Sequence, residues 1–286
     1  MSTPAALLPV TLPGGLRGYR LAGFPLWHVF MSRAGGASGA PYTGLNTAWR
    51  TEDPAAPANR AQLLAALGIA AAPLRLLNPV AGEVSCHLAA ADWAAAREGV
   101  LLGTDAALTD TPDTHLMMST ADCIPLLLIH AHAGAGAGGG QILALVHLGW
   151  RNLVAGLAGK MVAEVGRHYG VAPGEILAGL GPAIRPCCYV HPDPVQRHDP
   201  FWQPYLAPRG EGRYAIDLPG ALKAELLAAG LRPERILDPA ICTGCHAEFY
   251  SCYREGYRSG RFATVAGLRP AVAEDGMAST QPRGFP

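Results

Sequence analysis

Residues 119–152 read STADCIPLLLIHAHAGAGAGGGQILALVHLGWRN, with a thiol and an imidazole at the ends of two apolar runs. Cys123 stands just before the run 124–129, and His147 closes the run 142–146. A thiol and an imidazole brought together admit two chemistries. Both are zinc donors, and a catalytic zinc takes three protein ligands and keeps a fourth position open. Alternatively the thiolate is a nucleophile with the imidazole as its base. Asp122 is placed to orient or tune one of the pair. Arg151, where a strand would pass into a helix, suits an anion alongside the first free helix N–H groups. Singly, each of these residues also has an ordinary explanation as a buried Cys, a core His or a surface Arg.

The elements around them must bring the two ends together. The glycine- and alanine-rich stretch 133–140 reads as a hairpin tip, so the runs on either side become facing strands. Residues 27–33 alternate as a strand, and 74–80 form another, ended by Pro79. Residues 53–68 read as a helix, capped by Asp53 and closed by Gly68. Short helical spacing recurs at 92–99, and longer patterns at 150–170 and 218–231 predict further helices. The Pro/Gly-rich first twenty residues read as loop, residues 246–255 as extended, and the end of the chain as an Arg-rich strand pair. No repeat or long linker interrupts the chain, which predicts a single mixed α/β domain.

Composition narrows the partners. Of 286 residues, half are apolar and 15% charged, and Lys+Arg and Asp+Glu balance at 22 each, so neither a nucleic-acid surface nor a disordered tail is indicated. No stretch approaches the length of a membrane span, and the N-terminus lacks the basic and apolar parts of a signal peptide. Seven cysteines, an odd number, fit a reducing compartment, so a cytoplasmic protein is expected. Cys242 and Cys245 form a lone CxxC, and Cys187-Cys188 a vicinal pair; structural roles are expected for all four, with 242 and 245 neither a disulfide nor a metal pair. A copper oxidase needs several clustered ligands, and His130 and His132 are the only close pair.

The segments SRAGGASGAPYTGLN, GTDAALTDTPDTHLMMSTADCIPLLL, VHLGWRNLVAGL, GLGPAIRPCCYV and ICTGCHAEFYSCYREGYRSGR occur in this order. Together they resemble the laccase-domain (YfiH-like) family of purine nucleoside phosphorylases. The resemblance spans residues 24–268 and suggests an N-terminal extension at 1–20, the domain at 21–269 and a tail at 270–286. It implies a mixed-sheet α/β sandwich related to toxin deamidases with a Cys-His site. It also implies phosphorolysis of adenosine, inosine, guanosine and methylthioadenosine, with adenosine deamination, by a monomer or homodimer that binds nucleoside and phosphate. Cys123, His147 and Asp122 would form the catalytic centre, with Arg33, Asn46 and Arg151 holding substrate or phosphate.

The resemblance further implies a zinc held by two His and one Cys, two of them here being Cys123 and His147. The family's KQVHG is NPVAG here, so Ala81 stands where the remaining ligand is expected, and Pro79 replaces its Gln. HAGWRG has become HLGWRN, and CYEV has become CYVH. His87 or Cys86, shortly after Ala81, could replace the missing ligand, with His191 and His115 as further candidates. Two other readings remain: an enzyme editing peptidoglycan precursors, as some relatives are named, and a non-catalytic nucleoside-binding paralogue, which Ala81 favours.

Overall fold

In the computed structural model, which describes residues 5–94, 98–131 and 140–268, the two apolar runs pair as antiparallel strands. Ile124–Ala131 lies against Gln141–Leu148, with Ile124 opposite Leu148 and Pro125 opposite His147. The hairpin tip itself, with His132, lies outside the described residues apart from Gly140. Because side chains alternate along a strand, each run serves two layers. Leu126, Leu128, Ala144 and Val146 face one apolar cluster, while Leu127, Ile129, Leu143 and Leu145 face another. Burial on both faces explains why these strands read as unbroken apolar runs rather than alternating ones.

These strands form the centre of a six-stranded sheet, in the order Ile236–Leu237, Leu177–Leu180, Ile124–Ala131, Gln141–Leu148, Ala106–Thr109, Ser85–Leu88. A seven-stranded sheet stacks on it, in the order Leu7–Thr11, Arg17–Leu21, Trp27–Met31, Phe262–Leu268, Thr114–Thr120, Leu74–Asn78, Glu98–Leu102. Both sheets are mixed: Leu74–Asn78 runs parallel to its two neighbours, and most other pairings are antiparallel. Phe30, Met118, Phe249 and Phe262 fill the space between the sheets together with Leu127 and Leu145. The helices Leu157–Tyr169 and Leu218–Ala228 cover the outer face of the six-stranded sheet through Met161, Val165, Leu222 and Leu226. The helix Ala56–Ala66 covers the other sheet through Leu63 and Leu64. The chain is therefore the α/β sandwich that was expected. Leu145 is fully buried between the sheets, so Leu145→Ala is expected to cost about 2–5 kcal/mol by leaving a cavity. Urea unfolding measures this as a lower midpoint at unchanged slope.

Several local expectations are corrected. Part of the N-terminal stretch expected as loop forms two paired strands, Leu7–Thr11 and Arg17–Leu21, at the edge of the seven-stranded sheet. Val10 and Leu12 pack under the helix Ala56–Ala66, and that burial outweighs the Pro/Gly content. Residues 150–169 form two helices rather than one, because Gly156 adopts φ 71° between them. The helix Ala56–Ala66 begins later than expected; Asp53 accepts from the Ala55 N–H, while its other oxygen takes Ser38 Oγ and Asn46 Nδ2. Residues 246–255 are turns leading to a short helix, Cys252–Glu255, so a single strand, Phe262–Leu268, closes the described chain. The 270–286 tail falls outside the described residues.

Candidate active site

Parity along the central hairpin places Cys123, Pro125 and His147 on the side that faces the second sheet. At that end a cavity of about 640 Å³ opens, and both reactive side chains line it. The His147 imidazole hydrogen-bonds to the Cys123 sulfur on one side, and its Nδ1 lies 2.9 Å from Asp105 Oδ1 on the other. Gly149 follows because a Cβ there would sit 3.2 Å from Cys123 Sγ and 3.4 Å from Asn152 Oδ1.

Asp105 organises this end of the pocket. It is fully buried and accepts from the N–H groups of Ala81 (3.0 Å) and Gly82 (2.9 Å), from Asn152 Nδ2 (3.1 Å) and from His147. Its own carbonyl accepts the His147 backbone N–H at 2.8 Å, so main chain and side chain hold the same residue. Burial alone would raise the Asp105 carboxyl, but the bonds from His147 and the Gly82 N–H outweigh it and hold the group below its ordinary value. Burial likewise pulls His147 down, and the charge and hydrogen bonds of Cys123 and Asp105 overcome it, raising the imidazole to about 9. At neutral pH His147 therefore carries a proton.

Asp122 lines the cavity, but its carboxylate bonds away from the pair. Its Oδ1 accepts from Thr243 Oγ1 at 2.6 Å and its Oδ2 from the Tyr253 N–H at 2.7 Å. These bonds hold the residue in a left-handed conformation, φ 82°, that aims the chain into the strand after Cys123. The sequence signal for Asp105 was its place in GTDAAL, directly before a strand, with nothing to mark it as the partner of a residue 42 positions later.

The substrate residues divide in the same way. Arg151 lines the cavity, exposed, with its guanidinium over the Trp150 ring at 4.3 Å. Arg33 is not among the lining residues; it pairs with Glu255 at 2.7 Å, donates to the Thr43 carbonyl and stacks on Tyr250, which makes it a brace for the loop 32–44. Asn46 is buried behind the site, where its Oδ1 accepts the N–H of Arg261, a lining residue, at 2.9 Å. Arg50, Trp49, Tyr189 and Tyr253 line the cavity and carried no distinguishing sequence pattern.

The expected substitute ligand is also corrected. His87 points to the outer side, where Nε2 lies 2.9 Å from Tyr169 Oη and the ring stacks on His168 at 3.9 Å. Cys86 packs against the inter-sheet core, and His115 is buried against Trp27. His191 does line the cavity, held between Tyr189 and Tyr253. Ala81 lines it too and offers no donor. Among the described residues no third His, Cys, Asp or Glu donor, His191 included, lies within 4.8 Å of both Cys123 and His147, so the residues present do not fit a three-ligand zinc. Asn152, where a Gly is usual, donates to the Gly82 carbonyl at 2.6 Å, beside Ala81 in the chain.

Comparison with known proteins agrees with this architecture. The family described as multi-copper polyphenol oxidoreductase laccase matches residues 27–269. The chain belongs to this family. A purine nucleoside phosphorylase of Deinococcus radiodurans is 36% identical over 256 residues, covering 88% of this chain and 92% of that protein. Adenosine deaminase RL5, from an unknown prokaryotic organism, is 32% identical over 174 residues, covering 59% of this chain and 63% of that protein. The structure of YlmD from Geobacillus stearothermophilus superposes with a TM-score of 0.74 at 29% identity, covering 88% of this chain and 96% of that one. Bacillus licheniformis YfiH superposes with a TM-score of 0.75 at 25% identity, with the same coverage. The family supports a nucleoside-processing role. Among the described residues no helix is long and apolar enough to cross a membrane.

Proposed function

We propose that this chain is a purine nucleoside phosphorylase in which the Cys123–His147 pair handles the proton. The observation that carries this reading is the clamped imidazole: Asp105 holds one nitrogen at 2.9 Å, and the Cys123 sulfur meets the ring. Phosphorolysis forms a bond from a phosphate oxygen to the anomeric carbon of the sugar and breaks the bond from that carbon to the purine nitrogen. The departing purine needs a proton, and His147 is poised as the acid that supplies it. Arg50 and Arg151 are exposed at the cavity and form no ion pair among the described residues, which suits them to a phosphate. Trp49 and Tyr253 offer aromatic faces to a purine ring. Inosine, guanosine, adenosine and methylthioadenosine are the substrates to assay.

Deamination of adenosine instead requires a water made nucleophilic at neutral pH. With two donors at the pair and none at Ala81, the residues favour phosphorolysis. Ala81 also favours a second reading, in which the pocket binds nucleosides without turnover.

Phosphate-dependent release of hypoxanthine from inosine tests the proposal. Cys123→Ala and His147→Ala are each expected to lower kcat/KM by roughly 10²–10⁴-fold, the range for removing an acid–base group. Turnover unchanged in both variants would refute the Cys–His assignment. Nucleoside binding by the wild type without any product would select the second reading.

A further inference from the structure

Four cysteines that the proposed function leaves unused come together on the far side of the active-site wall. Cys187 and Cys188 lie in the turn beyond the strand Leu177–Leu180, and Cys242 and Cys245 in the loop beyond Ile236–Leu237. Those two strands pair in parallel, and a bridge between Ala183 and Cys242 extends the pairing to the cysteines. All four sulfurs lie within 4.8 Å of one another; Cys245 Sγ is 3.3 Å from Cys188 Sγ and 3.6 Å from Cys187 Sγ. Among the described residues this is the one group of three or more His, Cys, Asp or Glu side chains placed to share an ion. It bears on the expectation that Cys242 and Cys245 are not a metal pair, because the lone CxxC meets the vicinal cysteines 54 or more positions away.

We propose that Cys187, Cys188, Cys242 and Cys245 hold a structural zinc. A tetrahedral zinc with Zn–S of about 2.3 Å separates its sulfurs by roughly 3.8 Å, the scale of the spacings here. A disulfide would bring two sulfurs to about 2.05 Å, and all four are free thiols. Four sulfur donors close the coordination shell and leave no position for substrate, which makes the ion structural. The turn between Cys242 and Cys245 is shaped for this. The Cys242 sulfur accepts the backbone N–H groups of Cys245 and Arg185, as a thiolate ligand does in a tight turn. A Cβ on Gly244 would lie 2.6 Å from Cys188 Cβ and 2.9 Å from its sulfur, so only glycine lets the two cysteine pairs approach. Arg185 and Lys223 line the shallow cavity beside Cys187 and Cys242, where both pair with the Asp238 carboxylate.

The site lies behind the pocket rather than in it. Thr243, between two of the ligands, donates its hydroxyl to Asp122, the neighbour of Cys123. Tyr189 and His191, just after Cys188, line the cavity. The zinc therefore ties the segment that carries Tyr189 and His191 to the loop whose Thr243 holds Asp122.

Elemental analysis of untagged protein, purified without chelator, tests the proposal. One zinc per chain is expected, released on titration of the thiols with an organomercurial. Cys242→Ser and Cys187→Ser should abolish it, while Cys123→Ala and His147→Ala retain it. Cobalt substituted for zinc should give the intense visible bands of a tetrahedral thiolate site in the wild type and in Cys123→Ala. This readout holds even where a serine variant fails to fold. Zinc lost with Cys123→Ala but kept with Cys187→Ser would overturn the assignment. So would stoichiometric iron, a disulfide mapped among the four cysteines, or a wild-type protein that binds neither zinc nor cobalt.

Discussion

Ala81→His is expected to add a zinc to the catalytic pocket. The Ala81 side chain lines the same cavity as Cys123 and His147, so an imidazole there supplies the missing third donor. Ligand count governs affinity at such sites, because each donor contributes both bond strength and geometry. The backbone already sits in the left-handed region at Ala81, φ 58°, and its N–H is bound to Asp105. The substitution therefore enlarges the side chain without asking for a new backbone. Pro79 fixes its own φ two residues earlier and shapes the approach of the loop. The double variant Pro79→Gln with Ala81→His is accordingly expected to bind more tightly than the single one. Elemental analysis in a Cys187→Ser background separates this ion from the four-cysteine one. The expected result is a rise from no zinc to about one per chain, the full three-donor site. No gain in either variant would mean that the Asn152–Gly82 contact holds the new imidazole away from the pair. Phosphorolysis by the same proteins then tells whether the metal adds to the Cys–His chemistry or displaces the proton from His147.

The central hairpin was legible because its cause is local: two apolar runs, a glycine-rich link, and a Cys and His at matching ends. The sheets followed from the same run lengths, since strands buried on both faces lose their alternation. What the sequence concealed were contacts set by tertiary packing. Asp105 reaches His147 from the adjacent strand, and Asp122, beside Cys123 in sequence, turns away to Thr243 and Tyr253. Proximity along the chain pointed to Asp122, whereas the carboxylate that meets the imidazole is Asp105. Arg33 and His87 misled for the same reason, since each has a binding-type side chain committed to a partner far away, Glu255 for one and Tyr169 for the other. The cysteine quartet needed two loops brought together by parallel strands that pair through two residues on each side, which no local pattern announces. The N-terminal strands show the converse, where a Pro/Gly-rich stretch unpromising by itself becomes regular by covering a core already built.

Replacing Asp105 should have the largest effect on stability of any change at the site. Its carboxylate is fully buried and serves two loop N–H groups, Asn152 and His147 together. Asp105→Ala leaves those donors unpaired and strands a protonated imidazole, so a loss of about 3–5 kcal/mol is expected. Asp105→Asn keeps the shape and part of the hydrogen bonding and should lose less, which makes it the better probe of charge. The pH dependence has a definite sign. Asp105 is held below its ordinary value, so its contribution is complete above the unfolded carboxyl range and is lost as acid protonates the folded group. His147 is raised to about 9, so its contribution is complete below the ordinary imidazole range of about 6.5 and is lost as pH rises through 9. Wild-type stability from this pair should therefore be greatest between roughly pH 4 and 6.5 and decline toward pH 9. In Asp105→Asn the imidazole loses one of the two partners that raise it, and the alkaline decline should begin at lower pH. Denaturant midpoints from pH 5 to 9.5 measure both curves. Coincident curves would mean that Cys123 alone sets the proton on His147, and the role assigned here to Asp105 would reduce to holding the loop that carries Ala81.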